Sequence, residues 1–146
     1  MKKNQKNLKE ASIVVLIFTA LSFIRMAVQL FFIDFDMEGV TDGLTKGIAQ
    51  ATLIVLSVVS FALLLPQLYV GIKGLKVAKN PDSSKAHIVW AIILLGLTIV
   101  GVPSTVSDMI QTGEIAGNLL ELADALLDVL IYGAFIKFAT AVLKGE

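Results

Sequence analysis

Residues 119–133 read LLELADALLDVLIYG. The stretch is mostly Leu, Val, Ile and Ala, yet it carries Glu121, Asp124 and Asp128. Spacings of three and four residues put these acids on one face of a helix, and Tyr132 extends that face by another turn. Two folds accommodate such a helix. In a water-soluble domain the acids mark the solvated face. In a membrane bundle they lie where acids are costly and need polar company. The rest of the chain decides between the two.

Composition favours the membrane. Of the 146 residues, 56% are hydrophobic and 16% charged, against about 45–50% and about 25% in a soluble domain. Mean hydropathy is +0.84. The length suits a single domain. There are no cysteines, which excludes a disulfide framework, a thiolate metal site and dithiol redox chemistry. His87 is the single histidine, which removes bis-histidine haem ligation and most zinc sites. No metal or cofactor is therefore expected. Zero net charge implies no bulk attraction to nucleic acid.

Four apolar segments organise the chain. Residues 47–72, GIAQATLIVLSVVSFALLLPQLYVGI, hold no charge at all. A helix of about 20 apolar residues crosses a hydrocarbon layer roughly 30 Å thick, so this run is long enough. Residues 88–107, IVWAIILLGLTIVGVPSTVS, form a second span. Residues 11–33 form another, interrupted only by Arg25, and residues 115–136 complete the set. The apolar core of the first segment exceeds the usual 7–15 residues of a signal peptide, so it is expected to remain as an anchor. Between the spans lie an acidic connection at 34–46, a basic hairpin at 73–87 with an Asn-Pro turn signal, and a short acidic connection at 108–114. Ser83 or Ser84 is a candidate cap for the helix that follows the hairpin. Short connections set sequential helices side by side and antiparallel. The expected fold is an all-α integral membrane protein, a single domain over residues 1–146 built as a four-transmembrane-helix antiparallel bundle.

Lysine placement predicts orientation. Lys2, Lys3, Lys6 and Lys9 precede the first span, Lys73, Lys76, Lys79 and Lys85 mark the hairpin, and Lys137 and Lys144 end the chain. An up-down-up-down bundle gathers all three groups on one side. The other side has Lys46 with Asp34, Asp36, Glu38, Asp42, Asp108 and Glu114. The positive-inside rule places both termini in the cytoplasm and the protein in the cell membrane. The lysines are expected to meet anionic lipid.

Every segment carries one polar or small stripe. These are Ser22, Arg25 and Gln29, then Gln50, Ser57, Ser60 and Gln67, then Gly101, Ser104 and Asp108, and finally the acids of the fourth segment. Turned inward, the four make a polar interior. At 1.5 Å rise per residue, Arg25 lies about 13 Å below the outer loop, and Asp124 and Asp128 about 9 and 15 Å below the surface. Arg25 is the only basic residue inside a span, and a membrane arginine needs a carboxylate. It is expected to pair with Asp124 or Asp128. Glu121 and Asp108 lie nearer the rim, where Glu121 also suits the positive first turn of its helix. Arg25, Asp108, Glu121, Asp124 and Asp128 thus form a candidate charge cluster or ion site, an acidic recess open to the outside.

Two readings of that cluster follow. As interhelical glue or a partner contact, it belongs to a small non-enzymatic membrane protein acting as an accessory or interaction subunit. Its partners are then the lipid bilayer and either further copies of the chain or another membrane protein. As a hydrated site, it belongs to a cation- or proton-coupled transporter or channel subunit. An enzyme ranks behind both, since no nucleotide, nucleophile-elbow or metal motif is present. Pro66 and Pro103 are expected to kink their helices, Gly71 and Gly74 to allow close packing or to end the second helix, and His87 to sit at the membrane boundary beside Trp90.

Overall fold

The computed structural model describes residues 2–36 and 43–146. Four helices follow one another: α1 (Lys3–Asp36), α2 (Gly43–Lys79), α3 (Ala86–Thr112) and α4 (Ile115–Leu143). No strand occurs among the described residues. The expected acidic connection falls largely outside them, including Glu38 and Asp42, and so do the side chains of Gln29, Asp34, Asp36 and Lys46.

The helices overrun the predicted spans at the lysine-rich ends. α1 starts at Lys3, and α2 continues through Lys73 and Lys76 to Lys79, so the basic hairpin shrinks to residues 80–85. Lysine is a good helix former, and Lys76 and Lys79 oppose the negative end of the helix dipole. The stop comes at Asn80–Pro81, where the ring of proline disfavours helix in the residue before it. Neither Ser83 nor Ser84 caps α3. Its first flanking residue is Lys85, with no side-chain cap. Asp82 organises the turn instead: its Oδ1 accepts the Ser84 N–H at 3.0 Å, and its Oδ2 accepts Lys73 Nζ at 2.5 Å.

The α3–α4 connection is also shorter than expected. Asp108 lies inside α3, and only Gly113 and Glu114 separate the two helices. Gly113 adopts φ 68°, a left-handed backbone that glycine enters without a Cβ clash, and its N–H closes α3 on Met109 O. Both helices with an internal proline, at Pro66 and Pro103, run through it unbroken.

Packing makes the bundle antiparallel. One buried cluster joins Leu8, Ala11 and Val15 early in α1 to Val70, Val77 and Ala78 late in α2. It continues to Ile88, Ala91 and Leu94 early in α3 and to Tyr132, Phe135, Ala139 and Val142 late in α4. This is the lysine-rich end, where Lys2 Nζ donates to Gly145 O at 2.6 Å. Around the ring, α1 packs on α2 and α4, and α3 packs on the same two. Two glycines of α2 permit close approach, Gly71 to α1 and Gly74 to both α1 and, across the diagonal, α4. A Cβ on Gly71 would lie 2.6 Å from Leu16 Cδ2, and one on Gly74 would strike Ser12 and Phe135.

Toward the opposite end Phe23 of α1 still meets Phe61 of α2 edge-on, with centroids 5.3 Å apart. Ile24, Val28, Ile54, Val58, Val100, Ile110, Leu120 and Leu130 all present large apolar side chains outward. A soluble bundle reverses this arrangement. At 1.5 Å per residue even α3, with 27 residues, is about 40 Å long. All four helices are long and apolar enough to cross a membrane.

Candidate functional site

The α1–α4 seam changes character along its length. On α1 the stripe runs Leu8, Ser12, Val15 and Thr19, all buried, and continues to Ser22 and Arg25. The buried hydroxyls are satisfied locally, Ser12 Oγ by Leu8 O and Thr19 Oγ1 by Val15 O, each at 2.7 Å. On α4 the stripe runs in the opposite sense, from buried Val142, Ala139, Phe135 and Tyr132 to Asp128 and Asp124. One continuous helical face on each chain segment therefore seals the lysine-rich end with apolar contacts. Further along, the same faces carry charges on less buried residues.

There Arg25 Nη1 donates to Asp124 Oδ2 at 2.9 Å, across 99 residues of sequence. The pair stands beside a cleft of about 470 Å³ lined by Phe18, Leu21, Ser22, Arg25, Asp124 and Asp128. Its side chains remain 60% and 49% accessible, so the chain itself covers only about half of each. Asp128 lies one turn deeper along α4, half-buried. Among the described residues no hydrogen bond or ion pair reaches Asp128. The chain has no Lys or Arg between residues 86 and 136, so α3 and most of α4 have no cation to offer it.

The other two expected members stand apart. Glu121 is exposed and does not line the cleft. It also lies past the first turn of α4, which begins at Ile115 and carries no acid in that turn. Asp108 is exposed on α3, away from the cleft. The half-buried face of α3 runs Thr98, Val102, Thr105 and Met109, and the stripe of Gly101, Ser104 and Asp108 falls one residue behind it. Gly101 faces open space. The α3 stripe thus turns outward, whereas on α2 Ser57, Ser60 and Gln67 lie among the half-buried residues of the face that also buries Leu64 and Val70, with Gln50 exposed. No group of three acids or histidines suited to a metal ion occurs among the described residues.

His87, the second residue of α3, points into the bundle. It is 1% exposed, and neither ring nitrogen has a hydrogen-bond partner. Its ring meets Phe135 edge-on, with centroids 6.0 Å apart.

Four apolar helices, an apolar exterior and a charged seam fit a small multi-pass membrane protein. The chain matches no protein-family model, no curated protein and no solved structure.

Proposed function

We propose that this chain is a small non-enzymatic protein of the cell membrane, with both termini in the cytoplasm, that works as an accessory or interaction subunit. The observation that carries the reading is the half-covered Arg25–Asp124 pair. Asp124 lies nine residues into α4, about 14 Å from its start, and Arg25 eleven residues before the end of α1, about 17 Å in. A charged side chain at that depth costs roughly 2.5–3.5 kcal/mol on insertion scales. Lipid tails cannot offset that cost, whereas a second protein surface can. The lysine-rich end supports the orientation, since the tail, the hairpin lysines and the C-terminal lysines meet there.

The test places a photoreactive residue at Leu21, in the cleft, or at Val100, on the open face of α3. Irradiation of intact membranes is expected to give an adduct of defined mass from position 21 alone. Equal labelling from both positions, or none from 21, removes the reading.

A cation- or proton-coupled role is the second reading. What favours it is Asp128, a carboxylate in an open cleft with no internal cation. Reconstituted vesicles distinguish it: a sodium or proton flux that Asp128→Asn abolishes establishes coupling, and a flux indifferent to that change excludes it.

A further inference from the structure

The charges of the cleft do not balance. Arg25 is engaged by Asp124, and Asp128 adds a second carboxylate on the same face of α4. Asp128 lies within a residue of the midpoint of α4, which spans Ile115–Leu143. Lys137, the nearest cation on its own helix, is nine residues away, about 13 Å along the axis. Beside the acids the cleft is walled by Phe18 and Leu21. An occupant that excludes water and keeps Asp128 ionised must offer one cation at mid-depth and apolar surface around it. Lipid tails supply only the second, and a hydrated ion only the first. A further copy of this chain supplies apolar surface, but its one mid-span cation is already bound to its own aspartate.

We infer that the α1–α4 cleft is a docking groove for a transmembrane helix of a different protein that carries a single lysine or arginine near its centre, with that cation closing on Asp128. This rests on the interaction-subunit reading and names the partner's chemistry. Phe18 and Leu21 pack against the apolar flanks of the incoming helix, and the Arg25–Asp124 pair is covered by it. A carboxylate and a cation brought together out of water couple strongly, and the wrong partner is rejected because it leaves Asp128 unpaired.

The test uses the full-length chain in phosphatidylcholine vesicles, labelled at Thr112→Cys, with synthetic apolar helices of about 20 residues. The helices differ only in their central residue: Lys, Leu or Glu. Association is read by energy transfer. The Lys helix is expected to bind roughly tenfold more tightly than the Leu helix, and the Glu helix less well than either. Asp128→Asn is expected to erase the preference for Lys while leaving the Leu helix unchanged. Equal affinities, or a Lys preference that survives Asp128→Asn, overturn the assignment. So does protection of the cleft by a soluble amine with no preference among helices, which leaves a small-cation site. So does a stable dimer of the chain that blocks all three helices. If the preference is absent while the adduct at position 21 persists, only the partner's charge is wrong. If the adduct is absent as well, the interaction reading falls with it.

Discussion

Gly74 of α2 lies directly under the ring of Phe135 of α4: a Cβ at position 74 would fall 2.5 Å from Phe135 Cε2. The same Cβ would collide with Ser12 Oγ of α1. Three helices therefore converge on one missing side chain, at the end of the bundle where the core is closed. Gly74→Ala is expected to lower stability by about 1–3 kcal/mol through overpacking. Gly96→Ala, where nothing lies within 4 Å, is expected to cost nothing. Thermal unfolding in detergent compares the two, and equal melting temperatures would mean that the diagonal contact is loose.

His87 sits beside Phe135 in the same closed end, with both nitrogens unpartnered. A buried polar group left without a hydrogen bond costs about 1–3 kcal/mol, and an apolar group of similar shape removes that cost. His87→Leu is expected to raise the unfolding temperature, and His87→Gln is not. A less stable Leu variant would show that the imidazole has a partner in the membrane-embedded protein.

Asp82 supplies a pH dependence outside the apolar spans. The hydrogen bond from Lys73 lowers its pKa below the ordinary 3.8, and the Ser84 N–H adds to the effect. A depressed carboxylate contributes stability that is fully present above the unfolded-state pKa. That contribution is lost as pH falls through the lower folded value. The turn at residues 80–85 is therefore expected to loosen only below pH 3.8. Hydrogen exchange at the Ser84 amide reads this, and Asp82→Asn is expected to exchange faster at neutral pH with no further acid-dependent step. An unchanged exchange rate in the variant would show that the Asp82 clip does not hold the turn.

Two of the four helices were legible because uncharged runs of about 20 or more have few alternatives, and the two charged segments followed from the length and apolar character around Arg25 and around the acids of 121–128. Their ends were not. Lys73, Lys76 and Lys79 look like hairpin residues by charge and Gly74 like a helix end, yet α2 runs through the glycine, which is packed against Ser12 and Phe135, and stops only at Asn80–Pro81. The pairing of Arg25 with a mid-span aspartate was legible from spacing and depth together. Asp108 was misplaced for a physical reason: reading a loop from residue 108 ignores that α3 continues to Thr112 and turns that stripe outward. The burial of His87 had no local signal, since Phe135 covers it from 48 residues away in sequence.

Orientation has a direct test, because the chain lacks cysteine and any introduced thiol is unique. Thr112 and Ser83 are both exposed and lie at opposite ends of the bundle. Thr112→Cys is expected to react with an impermeant thiol reagent in sealed cells. Ser83→Cys is expected to react only after permeabilisation. The reverse pattern would invert the topology and put the open end of the cleft on the cytoplasmic side.

The Arg25–Asp124 pair separates a surface contact from a membrane-embedded one. An exposed pair in water contributes about 0–1 kcal/mol. Removing one partner of a desolvated pair costs about 3–5 kcal/mol, because the other charge is left uncompensated. The chain covers only about half of each side chain, so the surroundings decide which value applies. Arg25→Ala is expected to fall in the larger range in lipid nanodiscs, where it strands Asp124 beside Asp128. Arg25→Ala combined with Asp124→Asn is expected to recover part of the loss, since the stranded charge is gone. The combination with Asp128→Asn is expected to recover less, because Asp124 stays charged without its cation. Asp128→Asn alone is expected to be neutral or stabilising, as it removes the one carboxylate of the cleft without an internal partner. The measurement is reversible unfolding in nanodiscs across all four variants. A loss below 1 kcal/mol for Arg25→Ala would mean that water fills the cleft and hydrates the pair. The need for a covering partner at this seam would then disappear.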